Sequence, residues 1–399
     1  MSTTDSPSDS GEVIDGNRGR IFPCPECGAD LVFHVGKQQL KCTHCGAEKV
    51  IALDATAAVQ EQDFQQMLEQ LEKRKKVKLP PHPQPLSPPN SFHGRGEGSL
   101  KIASEEASEH SEVRCESCGA NVIFAGTLTS TSCPYCGSPI QREKVHRGGF
   151  RVPVDAVLPF QVEQRRAEQL LTTWIQSRWF APNDYKRAAE HDHFHGVYLP
   201  FWTFDSLTFT KYSGERGDHY HVTVGSGKDE RREQRTRWQA AAGQFQRFFD
   251  DVLIHAAKEL PVDRIDALAP WPLQKCQPFT PEYLAGFFAR TYDIDLGEGF
   301  KIARQRMNDE LRSDCLQRIG GDEQRLHEMK ARFDAVTFKH LLLPVWILAY
   351  RYRGESYRVF INAVTGEAQG DRPYSWIKIT LTVLAVLAVA ATIFIVFQR

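Results

Sequence analysis

The cysteines are the residues of this 399-residue chain whose types and spacing could do chemistry, and eight of the ten fall into two matching sets. Cys24, Cys27, Cys42 and Cys45 read C-x2-C-x14-C-x2-C; Cys115, Cys118, Cys133 and Cys136 repeat that spacing at an offset of 91. The likeness extends past the cysteines, since CGADLVF in the first copy aligns with CGANVIF in the second, so the pair is an internal duplication. Each C-x-x-C lets two thiolates reach one ion, and Gly28, Gly46, Gly119 and Gly137 relieve the tight turn that follows. The residues between form a short hairpin that brings two such knuckles together, and four thiolates then close a tetrahedral zinc shell. Two zinc ions per chain are expected, with a rubredoxin-type iron site as the alternative. A closed four-cysteine shell leaves no position for water, so the expected role is structural. The metal supplies the folding energy that so small a unit lacks. His34 and His44 lie within the first copy and read as exposed hairpin residues, because the shell is already full.

The elements that must position these sets follow from the rest of the chain. Residues 1–19 are rich in Ser, Asp and Gly and read as disordered. Zinc ribbons are placed at 20–52 and 113–145. Between them, residues 56–78 carry an apolar stripe of Val59, Phe64, Met67, Leu68 and Leu71, which predicts a helix. It ends in Lys73, Arg74, Lys75, Lys76 and Lys78, a candidate for an anionic surface, although cations at a helix C-terminus also fit a solvated end. Residues 79–112 are rich in Pro, Gly and Ser, then acidic, and read as a flexible linker that decouples the first ribbon. The first ribbon has four basic against three acidic residues and the second three against two, a net +1 each. Phosphate binding draws on several cations, so protein contact is the expected use and nucleic acid the less favoured one.

Residues 379–397, ITLTVLAVLAVAATIFIVF, are nineteen positions with no charge. As a helix they would extend about 28 Å, close to the hydrocarbon thickness of a bilayer. Trp376 and Lys378 stand where an interfacial aromatic and a snorkelling cation are expected. A transmembrane helix is therefore placed at 377–397. The first twenty residues lack an apolar run, so a cytosolic body anchored to the inner (cytoplasmic) membrane by a single pass is expected.

The texture of residues 150–372 alternates helix and strand signals, and the whole reads as an α+β multidomain chain: two small β ribbons, a mixed α+β body and one membrane helix. Residues 164–178 read as an amphipathic helix. VYLPFWTF at 197–204 reads as a strand; 207–212, 220–224 and 233–240 suggest a meander turning at SGERGD and GSGKDE. Residues 245–257 and 282–288 look helical, and 300–326 carries apolar residues at helical intervals. LLLPVWILAYRYRGESYRVFINAVTGE reads as a hairpin turning at Gly354. It shares an L-P-[FV]-W core with VYLPFWTF, which suggests equivalent strands of two half-domains.

WFAPNDYKR, GVYLPFWTFD, YSGERGDHY, RFFDDVL, PEYLAGF, IGGDEQR, TFKHLLLPVWILAYRYRG and INAVTGEAQGDRP together resemble a family of bacterial membrane-anchored proteins with TFIIB-type zinc ribbons. Members are often labelled primosomal protein N′ or replication-restart helicase. The resemblance runs from the ribbons to the tail and implies no enzymatic activity. It implies an adaptor role in envelope stress or membrane organisation, with flotillin-like or phage-shock-like partners. The second ribbon and the Pro-rich linker depart from the commoner single-ribbon layout.

A helicase motor needs G-x-x-x-x-G-K-[ST] to cradle phosphates. The nearest stretch, Gly225-Ser226-Gly227-Lys228-Asp229, has Asp in place of the magnesium-binding hydroxyl and Val222 in place of the first glycine. No catalytic residue is assigned. His191, His193, His195, His219 and His221 alternate as on one strand face and are a weaker metal candidate beside a solvated reading. Asp250 and Asp251 read as a solvated pair rather than an acid/base couple, and Cys276 and Cys315 as buried thiols. The expected function is a non-enzymatic adaptor at the cytosolic membrane face, with a membrane-tethered nucleic-acid binder as the alternative.

Overall fold

The structure is a computed structural model. It describes residues 22–51, 59–76, 111–114, 121–123, 130–132, 139–141, 145–147, 151–182, 184, 194–225, 230–258, 260–352 and 355–397. In chain order the first ribbon contributes β1 (Leu31–His34), β2 (Gln39–Cys42) and β3 (Glu48–Lys49). Then come β4 (Gln62–Asp63) and α1 (Phe64–Lys76). The region of the second cysteine set holds β5 (Ser111–Arg114), β6 (Asn121–Ile123), β7 (Ser130–Ser132), β8 (Pro139–Gln141) and β9 (Val145–Arg147). The body has β10 (Ala156–Val157), α2 (Gln164–Gln176), β11 (Phe194–Val224), β12 (Arg231–His255), α3 (Val262–Asp266), β13 (Gln277–Pro278) and β14 (Phe288–Arg290). It closes with α4 (Leu296–Ile319), β15 (Glu323–Tyr352), β16 (Glu355–Asn362), β17 (Ala368–Gly370) and the C-terminal α5 (Trp376–Phe397).

The body is built on β12, β11 and β15, paired antiparallel side by side. At 3.3 Å per residue, the 31 residues of β11 reach roughly 100 Å. From Val197 to Ser206 every residue of β11 is buried, as expected for a strand covered on both faces. Beyond it burial alternates, and α4 covers one face. That helix starts at Asp295, whose carboxylate accepts the Glu298 amide at 2.8 Å. It turns Ala303, Met307, Leu311 and Cys315 inward at helical intervals.

The meander expected at SGERGD is replaced by a continuous strand. Gly214 and Gly217 are there for close approach: a Cβ on Gly214 would lie 2.1 Å from the Arg325 carbonyl oxygen, and one on Gly217 2.8 Å from Thr236 Cγ2. The helices expected at 245–257 and 282–288 are also corrected. The first is strand β12; the second is a 3-10 turn, Pro281–Leu284, leading into β14. In β12 the apolar spacing imitates a helix because a bulge interrupts the pleat: Phe204 faces Val252 and Ser206 faces Phe249, which leaves Asp250 and Asp251 opposite Asp205. The two L-P-[FV]-W cores are neighbours rather than members of separate halves. Leu199 pairs with Leu343, Pro200 with Leu342 and Tyr198 with Pro344, a local two-fold arrangement. The hairpin of β15 and β16 forms as expected, and Gly354 at its turn lies outside the described residues.

The stripe on α1 packs inward, with Phe64 buried and its ring 4.5 Å from that of Phe300. The helix begins at Phe64, later than expected, because Gln62–Asp63 pairs with Thr337–Phe338 and the Asp63 carboxylate accepts the Gln66 amide at 2.7 Å. The first ribbon is also docked on the body rather than decoupled. The Phe33 ring lies 5.5 Å from Tyr283 and 6.3 Å from Phe287, and the Gln38 side-chain amide donates to the Phe160 carbonyl at 2.8 Å. Leu31, Phe33 and Leu40 share one hydrophobic core with Phe160, Leu171 and Trp346 of the body.

Candidate metal centre

In the first ribbon each knuckle is a tight turn. The Gly28 amide donates to the Cys24 carbonyl at 2.8 Å and the Gly46 amide to the Cys42 carbonyl at 3.1 Å. Gly28 and Gly46 have φ of 73° and 79°, which favours glycine there. Cys24 and Cys42 are buried, while Cys27 and Cys45 reach solvent. Their sulfurs lie 3.5 Å apart in the pairs Cys24–Cys45 and Cys27–Cys42, and all four fall within 4.8 Å of one another. Tetrahedral zinc with bonds of 2.3 Å requires sulfurs about 3.8 Å apart, so the arrangement fits that ion.

The electrostatics point the same way. The Cys45 amide, 3.5 Å from the Cys42 sulfur, leads the interactions that bring the Cys42 thiol down to about 6. At Cys45 the Ala47 amide pulls the opposite way but is outweighed, chiefly by the Cys27 and Cys24 thiols, so this thiol is pushed up to about 12. One thiolate forms readily and the last is opposed by its neighbours. A divalent cation removes that opposition and lets all four ionise. His34 accepts the Lys37 amide at 3.3 Å within the hairpin turn, and His44 is exposed, so neither enters the shell.

In the region of the second cysteine set, β5 pairs with β6 and β9, β7 with β8, and Val122–Ile123 of β6 joins Ala289–Arg290 of β14. Its hairpin thereby extends the body sheet. Cys115, Cys118, Cys133 and Cys136 lie outside the described residues. Of the basic cluster, Lys73 and Arg74 are exposed on the last turns of α1, Lys75 and Lys76 complete that helix, and Lys78 lies outside the described residues.

Among the described residues a second group with metal-ligand proximity is Asp205, Asp250 and Asp251. Its cation is already present in the chain. The Lys339 ammonium lies 2.9 Å from Asp251, 3.6 Å from Asp205 and 3.2 Å from Glu61. Burial alone would lower the Lys339 pKa, but the Asp251 contact, with the charge of Asp205 and Glu61, outweighs it and holds the lysine above its ordinary value. Asp205 is buried, and the Asp251 amide donates to its carboxylate. This cluster was not legible from sequence, because bulges on both neighbouring strands create it. Asp250 is exposed, as expected.

Among the described residues the histidine candidates do not assemble into a metal site. His191 and His193 lie outside the described residues, His195 packs edge-on against Phe288, and His219 is held by Glu323 and Gln234, each at 2.7 Å. Cys315 is buried on α4 and Cys276 is half-buried.

At the other end, α5 is the helix among the described residues that is long and apolar enough to cross a membrane, and none of it is buried in the body. Its base is tied down by a segment missed from sequence. The Lys378 ammonium donates to the carbonyls of Ala181 at 2.8 Å and Trp179 at 3.2 Å, and the Ser375 amide to the Phe180 carbonyl at 2.8 Å.

Residues 24–49 match the family described as the PriA DNA helicase Cys-rich region (CRR) domain. The chain is also similar to the uncharacterized protein YdjG of Bacillus subtilis (strain 168), 23% identical over 226 residues; the match spans 55% of this chain and 63% of that protein. No solved structure matches. Thiol geometry and family match agree that the chain carries, at Cys24, Cys27, Cys42 and Cys45, a four-cysteine zinc ribbon similar to the PriA Cys-rich region.

Proposed function

We propose that this chain is a non-enzymatic, C-terminally membrane-anchored adaptor that presents zinc-held knuckles to protein partners at the cytosolic face of the inner membrane. The observation that carries this reading is the division of the first ribbon. Its hairpin is buried in the body core, whereas Glu26, Cys27, Thr43, His44 and Cys45 at the metal end face solvent. A closed thiolate shell offers a substrate no open metal position, so the ribbon's use is as a rigid surface. α5 supplies the anchor, and the second cysteine set takes a second zinc. The resemblance to membrane-anchored zinc-ribbon proteins adds flotillin-like or phage-shock-like partners, in envelope stress or membrane organisation.

The match to a domain of a DNA helicase favours one further reading, a membrane-tethered nucleic-acid binder. Lys37 and Glu48 pair on the ribbon surface, which leaves it nearly neutral. The basic run of α1 would then make the contact.

Affinity purification from solubilised membranes separates the two. The full chain is compared with a Glu26→Lys, His44→Glu variant that alters the exposed knuckles and keeps all four thiols. Proteins recovered with the wild type and lost with the variant, in nuclease-treated extract, support the adaptor. An unchanged set of proteins removes the ribbon as the binding element. Recovery abolished by nuclease favours the nucleic-acid reading.

A further inference from the structure

The segment that follows α2 places an unusual side chain at the base of the apolar helix. Trp179 is 74% exposed and Trp376, at the start of α5, is 78% exposed. At a bilayer interface an exposed indole gains from both its apolar ring and its N–H. Position fixes the level of Trp179. Its carbonyl lies 3.2 Å from the ammonium of Lys378, which sits in the first turn of α5. The uncharged run starts one residue later, at Ile379. At 1.5 Å per residue that run accounts for about 28 Å, nearly the full hydrocarbon thickness, so its start coincides with the boundary between headgroups and acyl chains. The backbone of Trp179 therefore stands at the base of α5, where Trp376 begins the helix. Two cations flank the patch: the Arg178 guanidinium stacks on Trp174 at 4.6 Å, and that of Arg372 on Tyr374 at 5.3 Å.

We propose that the Trp179 segment is a second membrane contact, inserting its indole into the headgroup zone of the bilayer beside Trp376. Together with the bonds from Lys378, it fixes the tilt of the body over the membrane and holds the body close to the lipid surface. A helix alone would leave the body free to swivel about residues 371–375. This inference rests on the reading of α5 as a membrane span.

The test uses the full chain reconstituted into phosphatidylcholine vesicles with brominated acyl chains, which quench nearby indole fluorescence. Wild type, Trp179→Phe and Trp376→Phe are compared. With two interfacial indoles of similar emission, each substitution is expected to lower the quenched component by roughly half. Trp179 is exposed, so its replacement should leave the thermal melt in detergent unchanged. Quenching that drops for Trp376→Phe and is unaltered for Trp179→Phe overturns the second contact and leaves the anchor standing. A chain that shows no quenching at all overturns the membrane span, and this inference with it.

Discussion

The amide of Phe33 donates to the carbonyl of Ala285 at 3.0 Å, and that bond joins the zinc ribbon to the body at the 3-10 turn before β14. The Phe33 side chain is 5% exposed and lies among body aromatics. Phe33→Ala should therefore destabilise the whole molecule by about 3–5 kcal/mol, the usual result of truncating a buried aromatic. Thermal unfolding of the detergent-solubilised chain, followed by calorimetry, should show the ribbon and body melting together at a lower temperature in the variant. A separate ribbon transition with an unmoved body transition would sink the docked arrangement.

Gly214 provides a test of the long three-stranded sheet. A Cβ there meets the backbone oxygen of Arg325, which cannot rotate away, and Ile319 Cδ1 at 2.9 Å. Gly214→Ala should lower stability by about 1–3 kcal/mol, as overpacking of a closed site does. Denaturant midpoints measure it. A variant as stable as wild type would place the glycine in a turn instead.

These two positions show what was legible in the sequence. The metal centre was readable because ligand spacing is a local property: Cys24 to Cys45 lie within one hairpin. The apolar run of α5 was equally local. The extent of β11 was hidden, because Gly214 and Gly217 look like turn residues when only neighbours along the chain are visible. Their reason is across the sheet, in Arg325 and Thr236. Likewise, the bulge at Asp250–Asp251 shifts the pleat by one residue and turns a strand pattern into an imitation helix. Docking of the ribbon could not be read from a linker composition, since the contact is made by Phe33 and Leu40 with residues more than a hundred positions away.

A buried histidine, His340, and a half-buried carboxyl, Asp155, give a pH prediction. His340 places Nδ1 3.0 Å from the Pro153 carbonyl, and burial holds its pKa down at about 4. Asp155 accepts the His340 amide at 2.7 Å, and burial pushes its carboxyl up to about 6. The histidine gains a proton on unfolding between about pH 6.5 and 4, so its contribution is lost as pH falls. The aspartic acid stays protonated in the fold, so its contribution is present below about pH 4 and lost as pH rises through about 6. The two slopes oppose each other in the wild type. Asp155→Asn removes one of them, and the variant should lose stability more steeply than wild type between pH 6.5 and 4.5. Denaturant midpoints with equal slopes in the two proteins would contradict this.

Lys339 is the cation of a carboxylate cluster, with Asp205 only 1% exposed beside it. Lys339→Met leaves that carboxylate buried without its partner, and should cost about 3–5 kcal/mol. Adding Asp205→Asn should restore part of the loss, because the uncompensated charge goes with it. A double-mutant cycle measures the coupling, and strictly additive losses would show that the two side chains do not interact.

The most direct measurement is the zinc content of the purified full chain, by elemental analysis, for wild type and Cys24→Ser. Four converging thiols at Cys24, Cys27, Cys42 and Cys45 define one complete site, and removing one ligand opens the shell that folds it. The account predicts that Cys24→Ser lowers the content by one zinc per chain, from two to one when the second cysteine set is also loaded. A wild-type chain without zinc, one that holds iron instead, or a Cys24→Ser chain with undiminished zinc would contradict it.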